Sequence, residues 1–191
     1  MTEPLPNALA RVEQGLTRLG RDELRHRFRA GLRPEEVRSR LASVGIASSP
    51  ELEALYGWHD GTETSQAVLD DIHMFPGFYL LTLDDALAGY LAFVDDPRWP
   101  QGLLPVLANG GGDFYAVDTA GPTTGQVRHF RIDEPEQPVE FSSVSALFAT
   151  LAAGFDTGVF FVDPAGYLEM NDLDFGAAAS RVDPEVSWWN Y

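Results

Sequence analysis

The chain contains 191 residues, with 29 acidic residues against 13 basic ones and no cysteine. A chain of this length suits one domain with a substantial core, so we predict a single domain over residues 1–191. Without cysteine there are no disulfides, thiol nucleophiles or thiolate metal sites. All 13 basic residues are arginine, which also excludes mechanisms that need a lysine amine, such as a Walker A phosphate site or a Schiff base.

Negative charge is concentrated after residue 50. Residues 1–50 hold nine arginines and six acids, whereas residues 51–191 hold four arginines and 23 acids. A field of this sign repels nucleic acid and anionic lipid, but it attracts a basic protein and speeds its association. The amino terminus has no signal-peptide pattern, and no apolar run reaches 18 residues. We therefore expect a soluble, cytoplasmic protein whose partner is a protein rather than a nucleic acid or a membrane.

The first part of the chain predicts four helices. Apolar spacing indicates two helical pieces over residues 9–31, with a change of phase at Gly20. Their polar faces carry arginines, which either bind phosphate or an acidic partner or, as we favour, are solvated or paired within this acidic chain. Two more helices follow, over residues 34–45 and 49–57, each with a proline in its first turn. The second of these stops in a turn at residues 57–61.

The middle of the chain predicts strands around one helix. Residues 62–77 are polar and irregular, which indicates a loop, and residues 78–83 indicate a strand. Thr82 begins a helix with a capping pattern. Residues 103–108 are continuously apolar and indicate a buried strand. The predicted buried stripe of the helix consists of Leu87, Tyr90, Leu91 and Val94.

Three consecutive glycines stand within residues 109–113, directly before a predicted strand over residues 114–118. Both faces of this strand carry apolar residues, so we predict that it is central in its sheet. A short turn leads to a strand over residues 126–133, and this spacing predicts an antiparallel hairpin. We expect Gly111 or Gly112 to adopt a positive φ, because a tight turn before a central strand leaves no room for a side chain.

The last part of the chain predicts a long helix, a hairpin and an aromatic tail. The helix begins after Ser142 or Ser143, and residues 159–162 and 167–170 indicate the hairpin. The tail, which contains Trp188-Trp189, either anchors a partner or, as we favour, folds back over its own core. The predicted inner face of the helix consists of Val144, Leu147, Phe148, Leu151 and Phe155.

Patterns for catalysis and metal binding are weak in this sequence. The glycines at 110–112 precede a strand and no lysine follows them, so they do not indicate a phosphate-binding loop. The pair His59-Asp60, together with Asp113, lies in turns beside glycines and allows an acid–base or metal cluster in principle. Aspartate before glycine is also a common turn residue, and a histidine that ends a helix stabilises its dipole when protonated. We favour these local roles and predict no catalytic residue, no metal and no cofactor.

The order of the elements and the turn residues that separate them resemble those of the SUKH superfamily, the Smi/Knr-like proteins. The most specific match is a helix ending in Tyr-x-x-His-Asp-Gly, followed about 50 residues later by Asn-Gly-Gly-Gly-Asp before a strand. The matching stretches are residues 32–45, 50–61, 77–86, 99–118 and 141–148, so the best-matched core spans residues 32–155. The family pattern, which we interpret as mainly structural, is carried by Tyr56, Trp58, His59, Gly61, Trp99, Pro105, Gly111, Gly112 and Asp113.

The resemblance implies a single α+β domain, with a curved mixed or antiparallel β-sheet and helices packed around it. It also implies no enzyme activity and no cofactor. The superfamily includes fungal cell-wall-synthesis regulators and bacterial toxin-immunity proteins, and the usual inferred role of the bacterial members is to neutralise a cognate toxin by binding it.

We therefore predict a bacterial, cytoplasmic immunity-type protein that binds a basic toxin domain through its acidic surface. One alternative is an intracellular regulatory scaffold without a toxin partner, and a remote one is a hydrolase that uses His and Asp residues. The predicted partner contacts are carboxylates at or beside turns, where they can be presented: Asp60, Asp70, Asp71, Asp95 and Asp96.

Overall fold

The computed structural model describes residues 3–190, which form eight α-helices and nine β-strands. The helices are α1 (Leu5–Arg18), α2 (Asp22–Arg27), α3 (Pro34–Ser43), α4 (Pro50–Trp58), α5 (Leu69–Ile72), α6 (Leu83–Phe93), α7 (Val144–Thr157) and α8 (Asp172–Val182). The strands are β1 (Phe28–Ala30), β2 (His59–Thr62), β3 (Tyr79–Leu80), β4 (Leu103–Ala108), β5 (Phe114–Asp118), β6 (Val127–Phe130), β7 (Val139–Phe141), β8 (Phe160–Val162) and β9 (Leu168–Met170).

Five strands form a sheet in the order β3-β4-β5-β6-β7, so neighbours in this sheet are also neighbours in the chain. Two separate pairs, β1-β2 and β8-β9, form ribbons. Every strand pair within residues 3–190 is antiparallel, which agrees with the predicted α+β class and corrects its mixed-sheet alternative. Strand β5 is central and forms a hairpin with β6, as its apolar faces and the short turn predicted.

The two faces of strand β5 enter different apolar clusters. Tyr115 and Val117 belong to the main core, which is shared with α1 and α7. Ala116, on the opposite face, packs with Trp99 and Phe130 in a second, smaller cluster. A strand that is buried on both sides must be apolar on both sides, and this explains the absence of alternation in its sequence.

Helix α7 crosses the main core, and all five residues of its predicted inner face are buried there. Ser143, rather than Ser142, is its N-cap, because the Ser143 hydroxyl accepts a hydrogen bond from the Ala146 N–H at 3.0 Å. Glu51 of α4 adds a second cap, since its carboxylate accepts from the Val144 N–H at 3.1 Å. A carboxylate at a helix amino terminus is also favoured by the helix dipole.

The arginine-rich face of α1 pairs with the acidic part of the chain. Arg11 and Arg18 both reach Asp156 at the end of α7, with N–O distances of 2.7 and 2.6 Å. Arg38 of α3 similarly pairs with Glu53 of α4 at 2.7 Å. These contacts agree with the interpretation that the acidic chain accepts its own arginines.

Helix α6 follows the predicted stripe only in part: Leu87 and Tyr90 are partly buried and pack against the main core. Leu83 and Ala86 are its buried residues, whereas Leu91 and Val94 are 54% and 50% exposed. The helix also approaches strand β4 closely, since a Cβ atom on Gly89 would lie 3.1 Å from Cγ of Pro105. The end of its predicted apolar stripe is left in solvent.

Several short elements are missing from the sequence-based prediction. Residues 62–77, predicted as a loop, contain the end of β2 and helix α5, and the predicted strand over residues 78–83 is reduced to β3. Strands β1 and β7 have three residues each and depend on their partner strands for hydrogen bonds. Helix α8 was also missed. Its small residues pack against the core, and the tail after it returns over the core through Trp189, which contacts Phe141 and Phe175.

Candidate functional site

The first motif, residues 56–61, joins helix α4 to strand β2. Asp60 is 4% exposed, and its carboxylate accepts a hydrogen bond from the Leu83 N–H at 2.9 Å. Because Leu83 is the first residue of α6, this carboxylate caps that helix from a distant part of the chain. Arg29 Nε lies 3.9 Å from the same carboxylate. The structure therefore corrects the prediction that Asp60 is presented to a partner: its side chain is inside the protein.

The aromatic residues of this motif are also held by internal contacts. His59 stacks on Phe28 with 4.4 Å between ring centroids, and Trp58 lies at the same distance on a tilted plane. The Trp58 indole N–H donates to Glu13 at 3.2 Å. Burial lowers the pKa of His59, whose Nδ1 lies 3.3 Å from the Arg29 carbonyl. A neutral, stacked imidazole suits a packing role at this junction.

The second motif, residues 109–113, is held together by hydrogen bonds among its own residues. Asn109 Oδ1 accepts hydrogen bonds from the Gly111 and Asp113 N–H groups at 2.7 and 3.0 Å. Its amide nitrogen donates to Asp113 Oδ2 at 2.9 Å, and Asp113 Oδ1 accepts from the Ile132 N–H, also at 2.9 Å. The amide and the carboxylate therefore hold the loop in shape and attach it to the end of β6.

One of the two predicted glycines has a positive φ: Gly112, at +109°. Gly111 does not, and the neighbouring Gly110 has a φ of +78° instead. We expect Gly112→Val to lower the free energy of unfolding by at least about 1 kcal/mol, because valine is strained at this φ. Its Cβ would also lie 2.9 Å from Cδ1 of Ile132.

The matched control is Gly111→Val, at a position where a Cβ atom meets nothing closer than 3.4 Å. Thermal or urea unfolding of both variants measures the difference. Equal stability of the Gly112→Val variant and the wild type would contradict the strained turn.

Two further motif positions support the second cluster and the packing of α6. The Trp99 indole N–H donates to the Leu103 carbonyl at 2.9 Å, and its ring stacks on Phe93 at 4.9 Å. Pro105 lies in strand β4 and contacts α6 at Gly89. These contacts support the interpretation of the motif residues as mainly structural.

The structure does not bring His59 and Asp113 into a common cluster. His59 contacts the aromatic junction, and Asp113 contacts Asn109 and Ile132. Among residues 3–190, no three His, Asp or Glu side chains converge closely enough to hold a metal ion. None of the helices in the same part of the chain is both long and apolar enough to span a bilayer.

A buried polar cluster that the sequence did not indicate lies on three neighbouring strands. Glu140 of β7 is 3% exposed and accepts from the Tyr115 hydroxyl at 2.9 Å. Its other carboxylate oxygen lies 3.2 Å from His129 Nδ1, and the His129 ring stacks on Tyr115 at 4.5 Å. Burial, and then the Glu140 carboxylate, raise the pKa of Tyr115 well above its usual value. The phenol therefore stays protonated and donates.

The remaining predicted partner contacts form two acidic pairs. In the first pair, Asp71 is exposed, and the half-buried Asp70 lies 3.6 Å from His73 Nδ1. In the second pair, Asp95 is exposed, whereas Asp96 forms an ion pair with Arg98 at 2.8 Å. The hydrogen bonds from Arg98 lower the pKa of Asp96 to about 2. Asp70, Asp71 and Asp95 thus have no arginine partner among the described residues.

The glycine loop lies between the two acidic pairs. Leu69, which precedes the first pair, packs on the loop: a Cβ atom on Gly110 would lie 3.1 Å from Cδ1 of Leu69. At the other end of the loop, Gly112 packs on Ile132, whose carbonyl accepts a hydrogen bond from Arg98, the partner of the second pair. A series of contacts thus connects each acidic pair to one end of the loop.

Large apolar side chains are exposed next to both acidic pairs. Val68 and Leu69 precede the first pair, and Leu91 and Val94 precede the second. The hairpin β8-β9 adds two exposed aromatic residues, Phe161 and Tyr167. Sequence reasoning assigned Leu91 and Val94 to the core and did not consider the hairpin as a surface. The sequence carried one usable signal here, which is that apolar residues stand directly before an acidic pair in both places.

The structure thus defines an α+β protein in which side chains of both sequence motifs form hydrogen bonds with backbone groups. Its exposed acidic pairs lie beside exposed apolar residues. The family model described as SMI1 / KNR4 family (SUKH-1) matches residues 32–150, and the chain belongs to this family. Members of the family act by binding proteins. Comparison with curated proteins gives no significant match.

Proposed function

We propose that this protein is a non-enzymatic, cytoplasmic module of immunity type, which neutralises a cognate toxin by binding a basic domain of that toxin. The family supports a protein partner in general, and the charge of the surface supports a basic one. We further propose that residues 1–191 act as a single SUKH domain. Its support is one apolar cluster that runs from Leu5 in α1 to Ala179 in α8.

The observation that carries this proposal is that most of the arginines pair with carboxylates of the same chain. Ten of the 13 arginines form ion pairs with carboxylates of the same chain. These ion pairs, with that of Arg38 and Glu53, use 11 of the 29 carboxylates, so 18 have no arginine partner among the described residues. Exposed excess charge of one sign raises the association rate of an oppositely charged partner.

The interface that we propose contains Asp70, Asp71, Asp95 and Asp96, with the glycine loop between the two pairs. Protein interfaces combine an apolar centre with a polar rim. The exposed Leu69 and Leu91 supply apolar area next to these carboxylates. Asp96 keeps its ion pair with Arg98, so we expect it to contribute less than the other three.

A regulatory scaffold is the second candidate, and a different surface favours it. Leu173 of α8 is 79% exposed, and a groove of about 610 Å³ beside it is lined by Ala177, Ser180 and Trp189. None of the residues that line this groove is charged. A partner bound there would leave the acidic pairs unused.

The test is to purify the protein from its native cell, identify what accompanies it and measure the association rate with that partner over a series of salt concentrations. We expect a rate well above the ~10⁵–10⁶ M⁻¹s⁻¹ of neutral docking at low salt, falling as salt is added, with a smaller change in dissociation. Asp70→Asn/Asp71→Asn should slow association.

The matched control for this test is Glu134→Gln/Glu136→Gln, which removes the same charge from two exposed residues outside the proposed interface. An association rate that does not change between low and high salt would refute electrostatic recognition. The groove beside Leu173 would then become the better interface candidate.

A further inference from the structure

A groove separates helix α5 from the β8-β9 hairpin. Its volume is about 330 Å³, and it is lined by Asp70 and His73 on one side and by Tyr167, Leu168 and Glu169 on the other. Residues 76–77 close it between the two sides. The groove is thus bounded by two carboxylates that come from parts of the chain about 100 residues apart.

Both carboxylates are available to a partner. Glu169 is exposed and has no ion-pair partner among the described residues. The Asp70 side chain is half exposed and lies near His73, while Arg21 donates to the backbone carbonyl of Asp70 rather than to its carboxylate. Burial lowers the pKa of His73, so the imidazole does not neutralise the groove near neutral pH. The two carboxylates outnumber the one guanidinium beside them, that of Arg21, so the groove carries a net negative charge.

The hairpin presents aromatic rings beside these charges. Phe161 is paired directly with Glu169 in the antiparallel ribbon, so their side chains lie on the same face. Tyr167 stands two residues before Glu169, and because side chains alternate between faces, it lies on that face as well. Phe161 and Tyr167 are 44% and 48% exposed. Aromatic rings next to unpaired carboxylates suit a guanidinium group, which stacks on a ring while it donates to a carboxylate.

We propose that this groove is the docking site for an extended, arginine-bearing segment of the protein partner. One arginine side chain enters between Asp70 and Glu169 and lies against the ring of Tyr167, while Phe161 covers neighbouring apolar groups of the segment. Charge complementarity selects a basic occupant, and the planar guanidinium is favoured over a lysine ammonium because it can serve both carboxylates and stack at once. This inference rests on the proposed function, since it names the chemistry of the same kind of partner.

The test uses the full chain and a blocked synthetic peptide, Gly-Ala-Arg-Ala-Gly, as the probe. Amide chemical shifts are followed by NMR during the titration, and the Lys and citrulline versions of the peptide are titrated in parallel. We expect saturable shifts at residues 70–77 and 167–169, with the tightest binding for arginine. Asp70→Asn/Glu169→Gln should lower the affinity for the arginine peptide by about tenfold, because two charge-assisted hydrogen bonds are lost.

Two variants separate the groove from general attraction to an acidic protein. Tyr167→Leu keeps an apolar group at an exposed position but removes the ring, and it should abolish the preference for arginine over lysine. Glu134→Gln/Glu136→Gln removes the same charge elsewhere and should leave the affinity within about twofold.

Three results would each overturn the proposed docking site. The chemical shift changes could spread over the whole acidic surface, or the control pair could lower the affinity as much as the groove pair does. The arginine and citrulline peptides could also bind equally well. The proposed function has its own separate test, because a partner could still associate in a salt-dependent way through the acidic pairs and the glycine loop. Failure of the peptide experiment together with a positive salt series would reject this docking site and leave the immunity-type function standing.

Discussion

Gly61→Ala is expected to lower the free energy of unfolding by at least about 3 kcal/mol. Gly61 has a φ of +72°, and a Cβ atom there would lie 2.2 Å from the Thr82 backbone nitrogen and 2.4 Å from the Leu81 carbonyl carbon. These are backbone atoms, so no side-chain rotation relieves the clash. The segment between β3 and α6 would have to move, and with it the helix that Asp60 caps.

Gly121→Ala is the matched control for this prediction. Gly121 has a similar φ of +77°, but a Cβ atom there meets nothing within 4 Å. Its replacement should lower the free energy of unfolding by only about 1–2 kcal/mol, the cost of placing an alanine at a left-handed φ. Urea unfolding with a common m-value would measure both variants, and the difference between them isolates the close approach. Equal losses would show that the approach of β2 to the segment at residues 81–82 is not constrained.

The sequence predicts the centre of the fold well because the central elements carry their own local signals. Strands β4 and β5 are continuous apolar runs, and Thr82 and Ser143 cap α6 and α7 in the way that their spacing indicates. The elements that were missed have weak local signals. Strand β1 is three residues long, and helix α8 packs through small residues. Tertiary contacts decide such elements, and those contacts are not visible in a short window of sequence.

The end of α6 shows the same limitation in a helix that was correctly predicted. Hydrophobic spacing places Leu87, Tyr90, Leu91 and Val94 on one stripe, and the first two of these pack against the main core. Leu91 and Val94 are exposed instead. Periodicity identifies which residues share a face, but it does not show how far along the helix that face is covered.

Burial contradicts one of the five predicted partner contacts, and the other four remain a prediction. Asp60 was chosen because it stands before a glycine in a turn, yet this turn is packed against α6 and the carboxylate is buried. Asp70, Asp71 and Asp95 stand in equally acidic contexts and are accessible. Composition predicts that acidic residues are on the surface on average, but a capping role takes individual carboxylates inside. The facing carboxylate Glu169 could not be found, because only the folded hairpin places it opposite Asp70.

Glu140→Leu is expected to lower the free energy of unfolding by about 3 kcal/mol, because it leaves one buried and one partly buried polar group without a partner. The Tyr115 hydroxyl and His129 Nδ1 both contact the Glu140 carboxylate, and Tyr115 is buried with it. The protonated phenol loses its acceptor, while the leucine that replaces Glu140 supplies none. The three residues stand on β5, β6 and β7, so the loss should loosen one side of the sheet.

A double-mutant cycle distinguishes this cost from that of simple repacking. Tyr115→Phe removes the hydroxyl, so in the Glu140→Leu background it should restore about 1 kcal/mol, although the same change destabilises the wild type. Glu136→Leu, at an exposed position close in the sequence, should stay within about 0.5 kcal/mol of wild type. Additive losses from Tyr115→Phe and Glu140→Leu would mean that the hydroxyl and the carboxylate do not depend on each other. Coupling of the predicted sign would instead show that this buried hydrogen bond joins strands β5 and β7 directly across β6, although the two strands do not pair.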